Sequence, residues 1–210
     1  MISISFNVEL KALGLLLVGG VSPTVMLSDI SFHRTRDPLR GIYRPTIPGS
    51  SVKGVLRSSL SRVAHSLNMR VCSDWPQSYD DCDSCYLFGA PGTGGSVRVS
   101  DFVVEERTFT LTHVSLDDET GTARGAALYT SEYVMPGTIF RGRIDYVGEE
   151  ERLPALLVAM AALRTDRVGR RGVADLRISN AEELKGVLGG LGSYLALLNY
   201  LGVWGWDEGV

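Results

Sequence analysis

The order of segments predicts an α+β sandwich of the ferredoxin-like kind, a βαββαβ core closed by a terminal helix. Three observations predict it: a strand-period opening, two segments with apolar helical stripes, and β-rich stretches after each of them. Residues 2–10, ISISFNVEL, alternate apolar and polar, the period of a half-buried strand. LGLLLVGG continues it, and a long Pro-, Gly-, Asp- and Ser-rich loop runs to about residue 48. A helix is predicted over about 51–67, with Val52, Val55, Leu56, Leu60, Val63 and Leu67 on one stripe and Ser50 or Ser51 as N-cap. Residues 70–96 lack periodicity and hold all three cysteines. A strand near 97–104, VRVSDFVV, comes next. Residues 105–130 are polar and turn-rich, an excursion that reads as an extended hairpin. The remaining elements are a strand over about 137–147, a helix over about 152–163, the loop RTDRVGRRG, a short strand VADLRI and a last helix over about 181–201. The expected organisation is one domain over 1–210 with insertions at about 20–48, 70–96 and 105–130.

The chain has 210 residues, of which 44% are hydrophobic and 21% charged, enough for a sizeable core. No run of about 18 apolar residues predicts a membrane span. The opening lacks a basic n-region and carries Glu9 and Lys11 ahead of its apolar run, so it reads as a buried strand, not a signal peptide. A cytoplasmic protein is expected. The net charge of -3 hides two basic segments. Residues 34–62 carry seven cations against Asp37 alone, and 164–177 carry five arginines against Asp166 and Asp175. Such segregation points to a localised polyanion site. The cations are 18 Arg and 3 Lys, and Arg suits bidentate phosphate contact. Genome composition or heat adaptation would also enrich Arg.

Four constellations could carry chemistry. Cys72, Cys82 and Cys85 form C-x9-C-x2-C, with His65 seven residues upstream. Together they could complete a closed structural zinc site, with an aspartate or water as alternatives to His65. The other reading is three buried thiols and an unrelated histidine. Gly49, Ser50 and Ser51 at a helix start, with Lys53 and Arg57 one turn apart, could clamp a phosphate. They could equally be a capped helix with solvated cations. The loop RVGRRG, with Arg170, Arg171 and Gly172, divides between close backbone approach to a ligand and a plain surface turn. Asp29 and Asp37 flank His33 in the long loop and could bind a divalent ion or position a hydroxyl, or serve only as turn formers. No G-x-S-x-G, H-E-x-x-H, Walker A or dinucleotide fingerprint occurs.

Several pieces then line up in order. RDPLRG, YRPTIPGSSVKGVLRSSL, CDSCYLFGAPG and TGTARGAALYTSEYVMPGTIF together resemble the RAMP proteins of CRISPR systems. The nearest pattern is the backbone subunit of type III effector complexes. That resemblance implies an RRM-like fold and a protein that stacks in several copies, or with paralogues and other effector subunits, along a guide RNA. It implies a hairpin thumb, here about 105–130, that kinks the guide at regular intervals. Paired target RNA would be cut beside each kink in a step needing Mg2+ or another divalent ion and a loop aspartate, which corresponds to Asp29. Asp37 matches the family's DP turn. Gly49 to Ser51, Lys53, Arg57, Arg170, Arg171 and Gly172 match its RNA grip, and the cysteines with His65 its structural zinc. The chain departs from the pattern in the Asp29–Asp37 interval and in Ala174, which stands at a usual glycine position. A scaffold that binds guide RNA without cutting is the alternative. A free-standing guide-processing ribonuclease, or a zinc-stabilised module without RNA, are more distant ones.

Overall fold

A computed structural model of the chain describes residues 1–19, 28–37, 39–72, 82–170, 172–188, 192 and 194–206. In chain order come β1 (Ile2–Ala12), β2 (Arg34–Arg36), β3 (Tyr43–Ile47), α1 (Gly49–Ala64) and α2 (Asp83–Phe88). Then follow β4 (Val97–Val99), β5 (Phe102–Val103), β6 (Phe109–Leu116), β7 (Ala123–Tyr133) and β8 (Ile139–Gly148). The chain continues through α3 (Leu153–Leu163), β9 (Arg167–Val168), β10 (Gly172–Ile178), α4 (Ala181–Val187) and α5 (Tyr194–Gly202). The architecture is mixed α+β, built on an antiparallel sheet of order β2-β3-β5-β8-β1-β10-β9, with β4 also on β8. β6 and β7 form a separate two-stranded hairpin.

β1 shows why the sheet has two unlike faces. Ile4, Phe6, Val8 and Leu10 are buried, while Ser3, Ser5 and Asn7 between them are exposed, as strand pleating requires. α1 lays Val52, Leu56 and Leu60 into the buried side and packs on α3, which packs in turn on α5. Each such side chain, fully buried, is worth roughly 1.5–3 kcal/mol. On the open face Glu9 is gripped by Arg141 (3.1 Å) and Arg177 (2.5 Å), and the Arg177 guanidinium lies over Trp204.

The structure corrects several expected boundaries. α1 begins at Gly49, two residues before the expected start, because the Pro48 carbonyl already accepts the Ser51 and Val52 N–H groups. It ends at Ala64, followed by a 3-10 turn over His65–Leu67. No side chain of its own, Ser50 and Ser51 included, caps its N-terminus. The strand expected at 97–104 is split into β4 and β5 at Ser100 and Asp101. The last helix is two: α4 and α5 are separated by a glycine-rich stretch in which Gly192 adopts φ +54°, outside helical space. Part of the long loop is strand, since β2 and β3 pair and extend the sheet. Residues 20–27 and 73–81 and Arg171, which carried parts of the expected insertions and grip, lie outside the described residues.

Candidate functional site

The base of the hairpin gathers the first group. Residues 28–34 run along β7: Asp29 N–H donates to the Thr130 carbonyl (3.0 Å), Ile30 bridges Ser131, and Glu132 N–H donates to the Ile30 carbonyl (2.9 Å). Glu132 is buried at 3% exposure and accepts from Phe32 N–H (2.8 Å), the Arg34 guanidinium and the Thr108 hydroxyl. Asp29 itself is exposed. Its Oδ2 accepts from Thr130 N–H (2.6 Å) and the Thr130 hydroxyl (3.1 Å), and no partner for Oδ1 occurs among the described residues. The Thr130 N–H, then its hydroxyl, hold the Asp29 carboxyl below its ordinary range, so it is ionised at neutral pH. The arrangement fixes an anionic side chain at the root of a protruding hairpin. Asp37 instead forms a turn, since its Oδ1 accepts from Leu39 and Arg40 N–H while its Oδ2 pairs with Arg44 at 3.0 Å.

The start of α1 is the second group. Gly49 N–H donates to the Asp101 carboxylate (2.9 Å), so an acid from the β4–β5 junction already sits at the positive end of the helix. Gly49 is buried, and a side chain there would run into the Val99 and Ser100 carbonyls. Ser50 and Ser51 face solvent. Lys53 donates to the Val97 carbonyl and Arg57 to the Gly89 carbonyl, both at 2.8 Å. Neither has a carboxylate partner among the described residues, and both line a shallow groove of ≈ 380 Å3 against Gly89–Gly95. Partial burial, with Arg57 nearby, lowers the Lys53 pKa. Much of the segregated basic charge is neutralised across the fold: Arg34 pairs with Glu132, Arg44 with Asp37 and Glu105, Arg62 with Asp166, Arg164 with Asp175 and Arg177 with Glu9. Charge counted along the chain could not show partners supplied from elsewhere in it.

At the second basic segment, Arg170 is exposed, and its backbone N–H donates to the Leu17 carbonyl (2.8 Å). Gly172 is buried in β10 against Leu16, so it does not offer its backbone to a ligand at the surface.

The cysteines do converge. Sγ of Cys72 lies 3.3 Å from that of Cys85 and 3.2 Å from that of Cys82, and all three are free thiols. Cys82 caps α2, accepting from Cys85 N–H. Burial and the neighbouring thiols push Cys85 up to about 12. For Cys82 burial acts upward too, but donation from Cys85 N–H and hydrogen bonding with Cys72 outweigh it and its pKa is lowered. Three sulfurs this close, drawn together on a short helix and a loop, fit three ligands of one soft cation such as zinc. His65 is not brought into this group: it stands exposed in the turn after α1, where Asn68 at φ +52° redirects the chain.

Sequence reasoning passed over Asp101, Thr130, Glu132, and the aromatic residues His113, Tyr129 and Tyr133. The alternation in FTLTHVSL was the one available signal for the last group, because it sets same-face residues two apart. Glu132 and Thr130 sit in the TSEYVMPGT run, but nothing local shows that they meet residues a hundred positions upstream.

The sequence profile of the RAMP superfamily matches residues 9–174, a span that holds Asp29, α1, the cysteine cluster and the hairpin. The chain belongs to the RAMP superfamily. Comparison with curated proteins finds no match. Among the described residues no helix is long and apolar enough to cross a membrane.

Proposed function

We propose that this chain is an RNA-binding subunit of a CRISPR ribonucleoprotein, equivalent to the backbone subunit of type III complexes, and that it cuts target RNA beside Asp29. Membership of the superfamily supports RNA binding within such a particle. The succession β1-α1-β4-β8-α3-β10, with β4, β8, β1 and β10 side by side and antiparallel, supports a single ferredoxin-like core. The cleavage reading rests on one observation. An ionised, solvent-facing carboxylate is fastened by Thr130 to the foot of the hairpin, with one oxygen unpartnered among the described residues.

Guide RNA would be held without regard to sequence, by phosphate contacts from Lys53, Arg57 and Arg170, and pairing would supply specificity. Asp29 fits one ligand of a hard divalent cation completed by RNA phosphate oxygens. Such an ion, when bound, would neutralise phosphate charge and acidify a water. Asp29 would orient that charge, and Thr130 would keep its carboxylate in one position.

The test is reconstitution with guide RNA, complementary RNA and Mg2+. Regularly spaced cuts are expected, and Asp29→Ala should abolish them while leaving RNA affinity unchanged. Cutting that survives Asp29→Ala, or that persists in EDTA, overturns the assignment. A non-catalytic scaffold is favoured by a separate observation: among the described residues no second acid or histidine joins Asp29 in a metal-holding group. Tight RNA binding with no cuts under these conditions would establish that reading.

A further inference from the structure

The three thiols converge although Cys72 lies in no helix or strand. Nine residues separate it from Cys82, and closing that excursion costs chain entropy before the sulfurs can meet. One side chain closes it. Asp83, the first residue of α2, donates its N–H to the Arg70 carbonyl (2.8 Å), and its Oδ2 accepts from the Arg70 N–H (2.9 Å). This reciprocal pair fixes the residue two before Cys72 against the residue directly after Cys82. Both cysteines therefore lie just inside the closed loop, with their sulfurs 3.2 Å apart.

The other carboxylate oxygen ties this closure to the core. Asp83 Oδ1 pairs with the Arg152 guanidinium, and the two side chains are 14% and 24% exposed. Arg152 ends the 3-10 turn Glu150–Arg152 and leads directly into α3, which packs on α1. Its guanidinium also lies over the Tyr86 ring, 5.4 Å from the centroid, and the Tyr86 hydroxyl accepts from Glu149 N–H (2.9 Å). A partly buried ion pair is costly to desolvate and adds little net stability, whereas it does fix the segments it joins. Asp83 joins three of them: the stretch before Cys72, the first turn of α2 with Cys85, and the start of α3. Its carboxylate is not among the atoms that converge with the sulfurs, and both its oxygens are engaged, so it is no fourth ligand.

We infer that Asp83, anchored by Arg152, is a positioning residue for the three-thiol metal centre, holding Cys72 and Cys82 in register before a thiophilic cation such as Zn2+ arrives. The inference rests on the reading of the cysteines as metal ligands. A site closed in advance leaves the cation no loop to order on binding, and affinity rises accordingly. Groups that orient metal ligands without touching the metal contribute roughly 10- to 100-fold in affinity. Without the Asp83 carboxylate, the cation itself would have to draw Cys72 to α2.

The experiment uses the full chain, stripped of metal under reducing conditions and then retitrated. Zn2+ is followed by competition with a chromophoric chelator, and Co2+ by its thiolate-to-metal charge-transfer band. Asp83→Ala should weaken Zn2+ binding roughly tenfold or more. Its Co2+ band should still reach wild-type intensity at saturation, because all three thiols remain. Asp83→Asn keeps an oxygen for the Arg70 N–H and loses only the ion pair, so its affinity should fall between wild type and Asp83→Ala. The double variant Asp83→Ala, Arg152→Ala should bind no more weakly than Asp83→Ala alone, since the two side chains act as one unit. The rise in thermal midpoint on adding Zn2+ should shrink in step with affinity. Should Asp83→Ala fail to fold, Asp83→Asn and Arg152→Lys carry the same comparison. Wild-type Zn2+ affinity in these variants, with stripped and loaded midpoints lowered alike, confines the clasp to folding and overturns the inference while the metal centre stands. A wild type that gives no charge-transfer band overturns both.

Discussion

Glu132 decides how firmly the Asp29 loop is held to the hairpin. It is buried, and it takes donors from Phe32, Arg34 and Thr108, three points on the segments that flank the hairpin base. Burial alone would push its carboxyl up, yet the Arg34 guanidinium, Thr108 and Phe32 N–H outweigh that and hold it below its ordinary value. The sign follows from linkage. A carboxyl depressed in the folded state contributes stability that is full above its unfolded pKa, 4.5, and is lost as pH falls through the lower folded value. Thermal midpoints of the wild type should therefore fall as pH drops below the ordinary glutamate range. Glu132→Gln should be less stable at neutral pH, by about 1–3 kcal/mol, with a flatter acid limb. An equally steep limb in that variant would remove Glu132 from this role. At this scale the sequence disclosed residue types and not partners. Asp29 stood out as an acid in a cation-rich loop, while Thr130 and Glu132, which position it, lie about a hundred residues away and left no local mark.

At the scale of elements, period carried most of the information. The buried stripe of α1 and the alternation of β1 were legible because each face meets one environment along its whole length. What failed were the ends, which depend on groups from other segments. The start of α1 is the clearest case, since its capping acid, Asp101, comes from 52 residues downstream and breaks the expected strand into β4 and β5 to get there. The same geometry revises the anion seat. Gly49 N–H is already satisfied and Gly49 is buried, so a phosphate bound at this helix would have to use Lys53 and Arg57 more than the N-terminal backbone. Asp101→Ala should cost about 1 kcal/mol in urea unfolding, and Asp101→Asn should recover most of it, because an amide oxygen still accepts from Gly49. RNA affinity should hold or rise slightly in Asp101→Ala, as a negative charge leaves the helix start. A marked loss of affinity in a folded Asp101→Ala protein would mean that the cap positions the grip directly.

Across the whole molecule, the cysteine cluster and the proposed RNA grip are one mechanical unit. Arg57 donates to the Gly89 carbonyl and lies 3.6 Å from Cys85 Sγ, and Lys53 donates to the Val97 carbonyl, so both cations rest on the segment that α2 and its cysteines begin. C-x2-C spacing made the cluster legible, whereas its mechanical tie to α1 depends on tertiary contact and was not. Three thiols with conflicting protonation tendencies stay together most readily around a cation, and a metal there would hold the segment that α1 leans on. Chelation should release one zinc per chain and expose the α2 segment, residues 82–96, to protease before global unfolding. If Lys53 and Arg57 each neutralise one phosphate of single-stranded RNA, their loss should lower the slope of log K against log salt by about 0.7 apiece. The double variant Lys53→Ala, Arg57→Ala should therefore reduce the slope by about 1.4 for all sequences alike. Metal-stripped protein should move in the same direction, because its grip has lost the floor beneath it. An unchanged slope after chelation, alongside a reduced slope in the double variant, would separate the staple from the grip and confine the metal to stability.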